Sequence, residues 1–342
     1  MAKGVSVPVF IISLIIVAAI AGALGYYLRP LPPPPPPKPG EGMVIYWIGG
    51  AAGDPFDARL YKGARDAAEM LGIKLVYVHT EWDPDKMVAE FKRAIAAKPD
   101  GIVVMGHPGL DALAPLFEEA AKQGILVTLA NVDVPELREK YWYCGYVGQN
   151  LYMSGYTLAK TALEKFKDRL KPGARVAIFS GSWEQPARAL RAIGVEDAFK
   201  EAGLVVDRVS HPPAVYGSPA EGLPYVSGYL AKHPDCVLIC FDGGGTTAAA
   251  TDYLKAIGKE PGEIIVIGFD LTPGSVKGLK EGYVQLVIDQ QPYLQGFLTV
   301  LNLFLSKKYK MAGLYIDTGG AVLDKEALEK LGIEELVGEG YR

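Results

Sequence analysis

The chain has 342 residues, 49% hydrophobic and 22% charged, enough for one or two well-packed domains. A net charge of -4 and a sequence pI near 5.7 exclude the basic surface that nucleic-acid binding requires. Of the three cysteines, Cys236 and Cys240 share one predicted strand, about 13 Å apart at strand rise and too far to bridge. With Cys144 they read as buried free thiols, and without a CxxC pair there is no zinc or redox signature.

The first predicted element is an apolar run, Val5 to Leu28, interrupted only by Ser, Pro and Gly and long enough to span a bilayer. Lys3 and Arg29 flank it and give little orientation bias. Two rival readings stand beside a membrane anchor. Ala21-Gly22-Ala23 offers a signal-peptide cleavage site, and Lys3-Gly4-Val5-Ser6 resembles an archaeal pilin-like signal cut just before the hydrophobic stretch. All three export the remainder. Pro30 to Pro39 then predicts a polyproline II spacer of roughly 30 Å, at about 3.1 Å per residue. Only three Asn occur (Asn131, Asn150, Asn302), and 25 Pro stiffen the loops, a leaning towards a thermophile.

From Val44 the chain alternates short β-branched strands with helices, as in a parallel sheet covered on both faces. Four strand-bearing segments begin near 44, 71, 98 and 124, and four more near 175, 202, 233 and 262. The order repeats at offsets of 131, 131, 135 and 138 residues, and KPDGIVV pairs with HPDCVLI, so two similar α/β lobes follow. Asp54-Pro55, Asp83-Pro84, Ser218-Pro219 and Thr272-Pro273 each place a capping oxygen before a Pro, a helix start just past a strand end. A strand at Ile264–Ile267 leads to Phe269-Asp270, another at Tyr283–Ile288 leads to Asp289-Gln290-Gln291, and Pro292 opens a strongly apolar helix ending near Lys308. A last strand-like piece covers Leu314 to Asp317.

In open parallel sheets small ligands bind beyond the carboxyl ends of the strands. Candidate residues are therefore those at strand ends. Asp54 caps a helix there, and Phe56 follows it. His107 follows the third strand and reads either as a pocket or as a structural histidine. Asn131 ends the fourth. Trp183 follows a second-lobe strand, where its ring either stacks on a ligand or covers a helix end. Asp242 precedes three glycines that form no phosphate loop, since neither Lys-Thr nor G-x-G-x-x-G is present. Asp270 and Gln290 close the set, and Thr272, directly before its Pro, is the better cap and leaves Asp270 free. His79, His107, His211 and His233 are scattered, with no HExxH spacing and no G-x-S-x-G elbow. No catalytic set, metal or cofactor is expected.

GFDLTP (268–273) followed by IDQQPYLQG (288–296) resembles the periplasmic-type sugar-binding proteins of ABC importers, close to the ribose-binding group, and the likeness runs from about Met43 to the C-terminus. The resemblance implies the type I periplasmic binding fold, two Rossmann-like lobes joined by a three-segment hinge. It places residues 43–148 plus 291–316 in an N-terminal lobe and 149–290 plus 317–342 in a C-terminal lobe, after an anchor or signal segment (1–29) and a linker (30–42). It puts Asp54 and Phe56 at the family's Asn-Pro-Phe, and matches Arg191 to an arginine that donates to ligand oxygens. Arg188, three residues earlier, argues instead for a solvated helix face. It matches Tyr216 to an aromatic that closes over the ligand, Asp242 to part of an Asn-Asp, and Phe269, Asp270 and Gln290 most closely. Where many relatives carry Asp-Arg, this chain has Asn131-Val132, with Asp133 as a possible replacement. The implied function is capture of a small sugar or polyol by hinge closure, outside the cytoplasm, by a monomeric globular part that serves an ABC permease and its ATPase subunits. The alternative is a receptor module signalling through a membrane partner.

Overall fold

The computed structural model describes residues 6–27 and 36–342. Residues 3–5 of the pilin-like motif and residues 30–35 of the proline run therefore lie outside the described residues. The chain divides into two units, 1–37 and 38–342. In the first unit Val7–Tyr27 is a single helix with no buried residue, long and apolar enough to cross a membrane. A signal sequence passes the same test.

The second unit contains two six-stranded sheets. Strands β1 (Val44–Gly49), β2 (Lys74–His79), β3 (Gly101–Met105), β4 (Leu126–Ala130) and β5 (Tyr146–Gly148) belong to the first. Strands β6 (Arg175–Ser180), β7 (Val205–Ser210), β8 (Cys236–Phe241), β9 (Ile265–Phe269) and β10 (Leu286–Asp289) belong to the second. The short β11 (Tyr315–Asp317) returns to the first sheet and β12 (Ala321–Leu323) to the second, giving orders β11-β5-β4-β3-β1-β2 and β12-β10-β9-β8-β6-β7. All pairings are parallel except β10 with β12. The chain thus forms two α/β lobes. It changes sheet between β5 and β6, leaves the second sheet after β10, and returns to it between β11 and β12.

One departure from the sequence reading concerns β10, which starts at Leu286 and not at Tyr283. Gly282 takes a left-handed conformation that ends the preceding helix Pro273–Glu281, and Val284 N–H turns back to Gly278 O at 3.0 Å. Helix termination consumes the residues that alternation alone assigns to a strand. Ser218-Pro219 likewise opens a single 3-10 turn, Pro219–Gly222, before the helix Leu223–Lys232.

Each lobe is braced by one closely packed helix pair. Helix Pro55–Leu71 meets helix Pro292–Tyr309 at Gly63 and Gly296, and helix Leu151–Lys165 meets helix Pro186–Glu201 at Gly155 and Gly194. At all four glycines a Cβ would run into backbone of the facing helix. Helix Pro292–Tyr309 is held on the first lobe by Trp47 Nε1 donating to Thr299 Oγ1 at 3.2 Å, and by Asn302 Nδ2 donating to Thr128 Oγ1 at 3.0 Å. Its apolar length is core to the lobe whose sheet the chain had left at β5. The three cysteines are free and buried, and burial raises their thiol pKa values.

Candidate functional site

The carboxyl ends of the two sheets face a common cavity of about 410 Å³, its open mouth included. The first lobe begins the wall at Asp54, the N-cap of helix Pro55–Leu71. Its Oδ1 accepts from Phe56 N–H at 2.8 Å and its Oδ2 accepts from Trp82 Nε1–H at 2.9 Å. Burial raises the Asp54 pKa to about 8, against those two hydrogen bonds, with Asp270 and Asp57 adding repulsion. Phe56 and Trp82 form an apolar face, ring centroids 6.0 Å apart, and the His107 ring lies 5.6 Å from Trp82.

His107, two residues past β3, stands in the lining. Its Nδ1 lies 3.0 Å from Gln185 Oε1 on the other lobe, which makes Nδ1 the donor. Burial, with Arg188 nearby, pushes the imidazole pKa down to about 4. The neutral ring therefore presents Nε2 as an acceptor, and that atom is buried without a protein partner. Asn131 lies just past β4 with φ 59°, a left-handed conformation that Asn tolerates well. Its amide donates to Gln290 Oε1 and Gln295 Oε1, both at 3.3 Å.

The second lobe supplies the charges. Arg191 is 2% exposed, not a solvated helix charge. Its Nη1 donates to Asp242 O at 2.8 Å and its Nη2 to Gln290 Oε1 at 3.1 Å, while the guanidinium lies 4.4 Å from the Phe269 ring centre. Burial, with the like charge of Arg188 second, lowers its pKa to about 9. Arg188 is buried as well, pairing with Asp242 Oδ2 at 3.3 Å. Asp242 Oδ2 also accepts from Ser180 Oγ, and Oδ1 accepts from Tyr216 OH, each at 2.6 Å. Asp270, at φ 73°, accepts from Gln290 Nε2 at 2.5 Å. Burial raises its pKa to about 6, with Arg191 as the main opposing influence. Thr272 caps the next helix in a capping box with Ser275, so the Asp270 side chain has no capping duty.

Of the residues picked from sequence, Asp54, Phe56, His107, Asn131, Arg191, Tyr216, Asp270 and Gln290 line the cavity. Three do not. Asp242 is fully buried behind Tyr216 and Arg188. Phe269 is a core side chain of β9 that touches the site only through Arg191. Trp183 is a half-buried ring packed on the second-lobe core, outside the lining, with Arg208 stacked on it at 4.5 Å. Asp133 does not replace the missing clamp either, because Arg138 binds it at 3.2 Å away from the lining. The sequence reading passed over Trp82 and Gln185 in the lining and took Arg188, which is buried there, for a sign of a solvated helix face. Trp82 stands three residues past the end of β2 in HTEWDP, within reach of the strand-end rule. The spacing of Arg188 from Arg191 shows a shared helix face without showing which way that face looks.

The wall offers aromatic faces and both donors and acceptors, and its charges are largely paired. Among the described residues no group of three or more His, Cys, Asp or Glu is arranged to hold a metal ion. The family model for the periplasmic binding protein domain matches residues 45–306. The chain belongs to the periplasmic binding protein family. Similar members include the xylose/arabinose-binding protein of Sulfolobus acidocaldarius, 28% identical over 298 residues, covering 83% of this chain and 72% of that one. The ribose import binding protein of Haemophilus influenzae is 27% identical over 251 residues, covering 73% and 80%. Among solved structures, a carbohydrate transporter of Acidothermus cellulolyticus in complex with myo-inositol matches with TM-score 0.75 at 24% identity. That match covers 88% of this chain and 99% of the other, and it shows the shared fold. A type I periplasmic binding protein is thus seen with its lobes touching, through His107–Gln185 and Asn131–Gln290.

Proposed function

We propose that the interlobe cavity takes an uncharged small sugar or polyol, held by Asp54, Phe56, His107, Asn131, Arg191, Tyr216, Asp270 and Gln290. The chain is an extracytoplasmic solute-binding protein of an ABC sugar or polyol import system, and it captures its ligand by closure of the lobes. The observation that carries the ligand class is the charge balance of the wall. Arg188 pairs with Asp242, Arg191 lies near Asp270, and Asp54 titrates near 8, so at neutral pH no net charge is left for an ionic ligand. The rings of Phe56, Trp82 and Tyr216 suit the C–H faces of a sugar, and His107 Nε2 suits one of its hydroxyls.

In this reading residues 43–148 and 291–316 move as one lobe against 149–290 and 317–342, with hinges at Gly148-Gln149, Gln290-Gln291 and Asp317-Thr318. Residues 1–29 anchor or export the protein, and the proline-rich segment spaces it from the membrane where the permease and its ATPase subunits act. Titration calorimetry of the 38–342 unit against pentoses, hexoses, polyols and nucleosides tests the proposal. One sugar or polyol is expected to bind and to reduce the radius of gyration in scattering. Binding of none of them, or binding with no change of radius, overturns it.

A further inference from the structure

One backbone feature in the wall has no counterpart in the capping and stacking described above. Glu81 and Trp82, consecutive and neither of them Gly, both adopt left-handed conformations, φ 56° and 59°. For a side chain as large as Trp this is a disfavoured state that persists only where its surroundings enforce it. The enforcement is visible. Thr80 N–H and Glu81 N–H both donate to Gly50 O, at 2.8 and 3.0 Å, and Thr80 Oγ donates to Gly49 O at 2.6 Å, tying the turn to the end of β1. Asp83 N–H then closes on Thr80 O at 3.0 Å, and Asp83 caps the next helix through Asp85 and Lys86 N–H. The indole lies flat against Gly50, where any Cβ would occupy the space of its six-membered ring.

The strained turn delivers one hydrogen bond, Trp82 Nε1–H to Asp54 Oδ2. Helix capping does not need it, because Oδ1 already receives Phe56 N–H. The second bond fixes the rotation of the carboxyl on the cavity wall. We propose that Trp82 is a positioning residue for ligand binding, holding the Asp54 carboxyl so that its remaining hydrogen-bonding valences face the cavity. This rests on the cavity being the ligand site. Burial acts first on the charge of Asp54, then the carboxylates of Asp270 from the loop after β9 and of Asp57 on its own helix, and Arg59 and Tyr77 are the other titratable groups coupled to it. Below about pH 8 the held group is neutral and offers an O–H as well as lone pairs, the combination a ligand hydroxyl uses best. Above it the donor is lost.

The test uses the full chain in a detergent that carries no sugar, with Trp82→Phe and Asp54→Asn. The expected result is that Trp82→Phe weakens binding of the sugar that wild type selects by roughly tenfold or more. Wild-type affinity falls as pH rises through about 8. In Trp82→Phe that fall moves to higher pH, since the indole N–H favours the ionised carboxyl, and in Asp54→Asn it disappears. A lost packing contact alone would not move the pH profile. A second measurement needs no sugar. The chain has four Trp, so selective 15N-indole labelling gives a resolved Trp82 signal, identified by its loss in Trp82→Phe. That signal is expected to titrate near pH 8 in wild type and not in Asp54→Asn. Wild-type affinity with an unchanged pH profile in Trp82→Phe, or an indole signal indifferent to pH and to Asp54→Asn, overturns the proposal. If wild type binds nothing, the ligand-site reading fails by that result, and the indole titration alone decides whether Trp82 holds Asp54.

Discussion

The two lobes place their site residues on the same frame and then equip it differently. In each, a residue before a Pro opens the first helix at the cavity, Asp54-Pro55 in one and Gln185-Pro186 in the other. In each, a left-handed residue ends a central strand, Asn131 after β4 and Asp270 after β9. In each, a residue past the second strand lines the wall, Trp82 and Pro213. Yet the first lobe presents rings, an amide, a neutral imidazole and one carboxyl held near pH 8, whereas the second presents two buried arginines organised by Asp242. The difference shows that a repeated fold conserves where a side chain stands and leaves open what it does. It also separates two kinds of wall. The first lobe's groups are held singly, mostly by one or two bonds each, while the second lobe's share partners around one carboxylate.

The largest expected effect comes from cutting the second lobe's shared carboxylate. Asp242→Ala leaves buried Arg188 without its ion pair and frees Ser180 and Tyr216, and breaking such a pair costs about 3–5 kcal/mol. Denaturant unfolding is expected to show that loss, while Asn131→Ala in the first lobe, with two long amide bonds at 3.3 Å, costs about 1 kcal/mol. Equal losses in the two variants would erase the distinction between the walls.

Next comes affinity at the paired left-handed positions. Asp270→Ala is expected to weaken sugar binding by roughly ten- to several-hundred-fold, and Asn131→Ala by about tenfold or less, since hydrogen bonds to charged groups are worth about twice neutral ones. Calorimetry on both variants checks the order, and a reversed order would move the principal polar anchor to the first lobe. The smallest effect is expected at Trp183. Its ring lies outside the lining and its indole N–H is buried without a partner, so Trp183→Phe is expected to keep affinity within about twofold and stability within about 0.5 kcal/mol. A tenfold loss of affinity would extend the second lobe's wall to that loop.

Much of this arrangement was legible in the residues themselves. Short β-branched runs at offsets near 131 announced two lobes, and capping residues before Pro announced the helix starts at the cavity. The strand-end rule reached Asp54, His107, Asn131 and Asp270, because parallel strands deliver their C-terminal neighbours to one rim whatever the rest of the chain does. That rule is local. It depends only on strand direction and on the residue that follows the last ladder bond.

What needed the tertiary structure was the direction in which a side chain on a known element finally points. Asp242 and Tyr216 both stand near strand ends, but only their mutual hydrogen bond shows that one faces the cavity and the other stands behind it. Trp82 reads as the residue before a helix cap until Gly50, 32 positions earlier, is seen to leave room for its ring. Arg188 and Arg191 look like surface charges until Asp242 and Gln290 enclose them from other elements. Short-range preferences determine strands, caps and turns, since their energies lie between neighbours in sequence. The polarity of a cavity wall is decided by burial and by partners far apart in the chain, and those exist only once the lobes are packed.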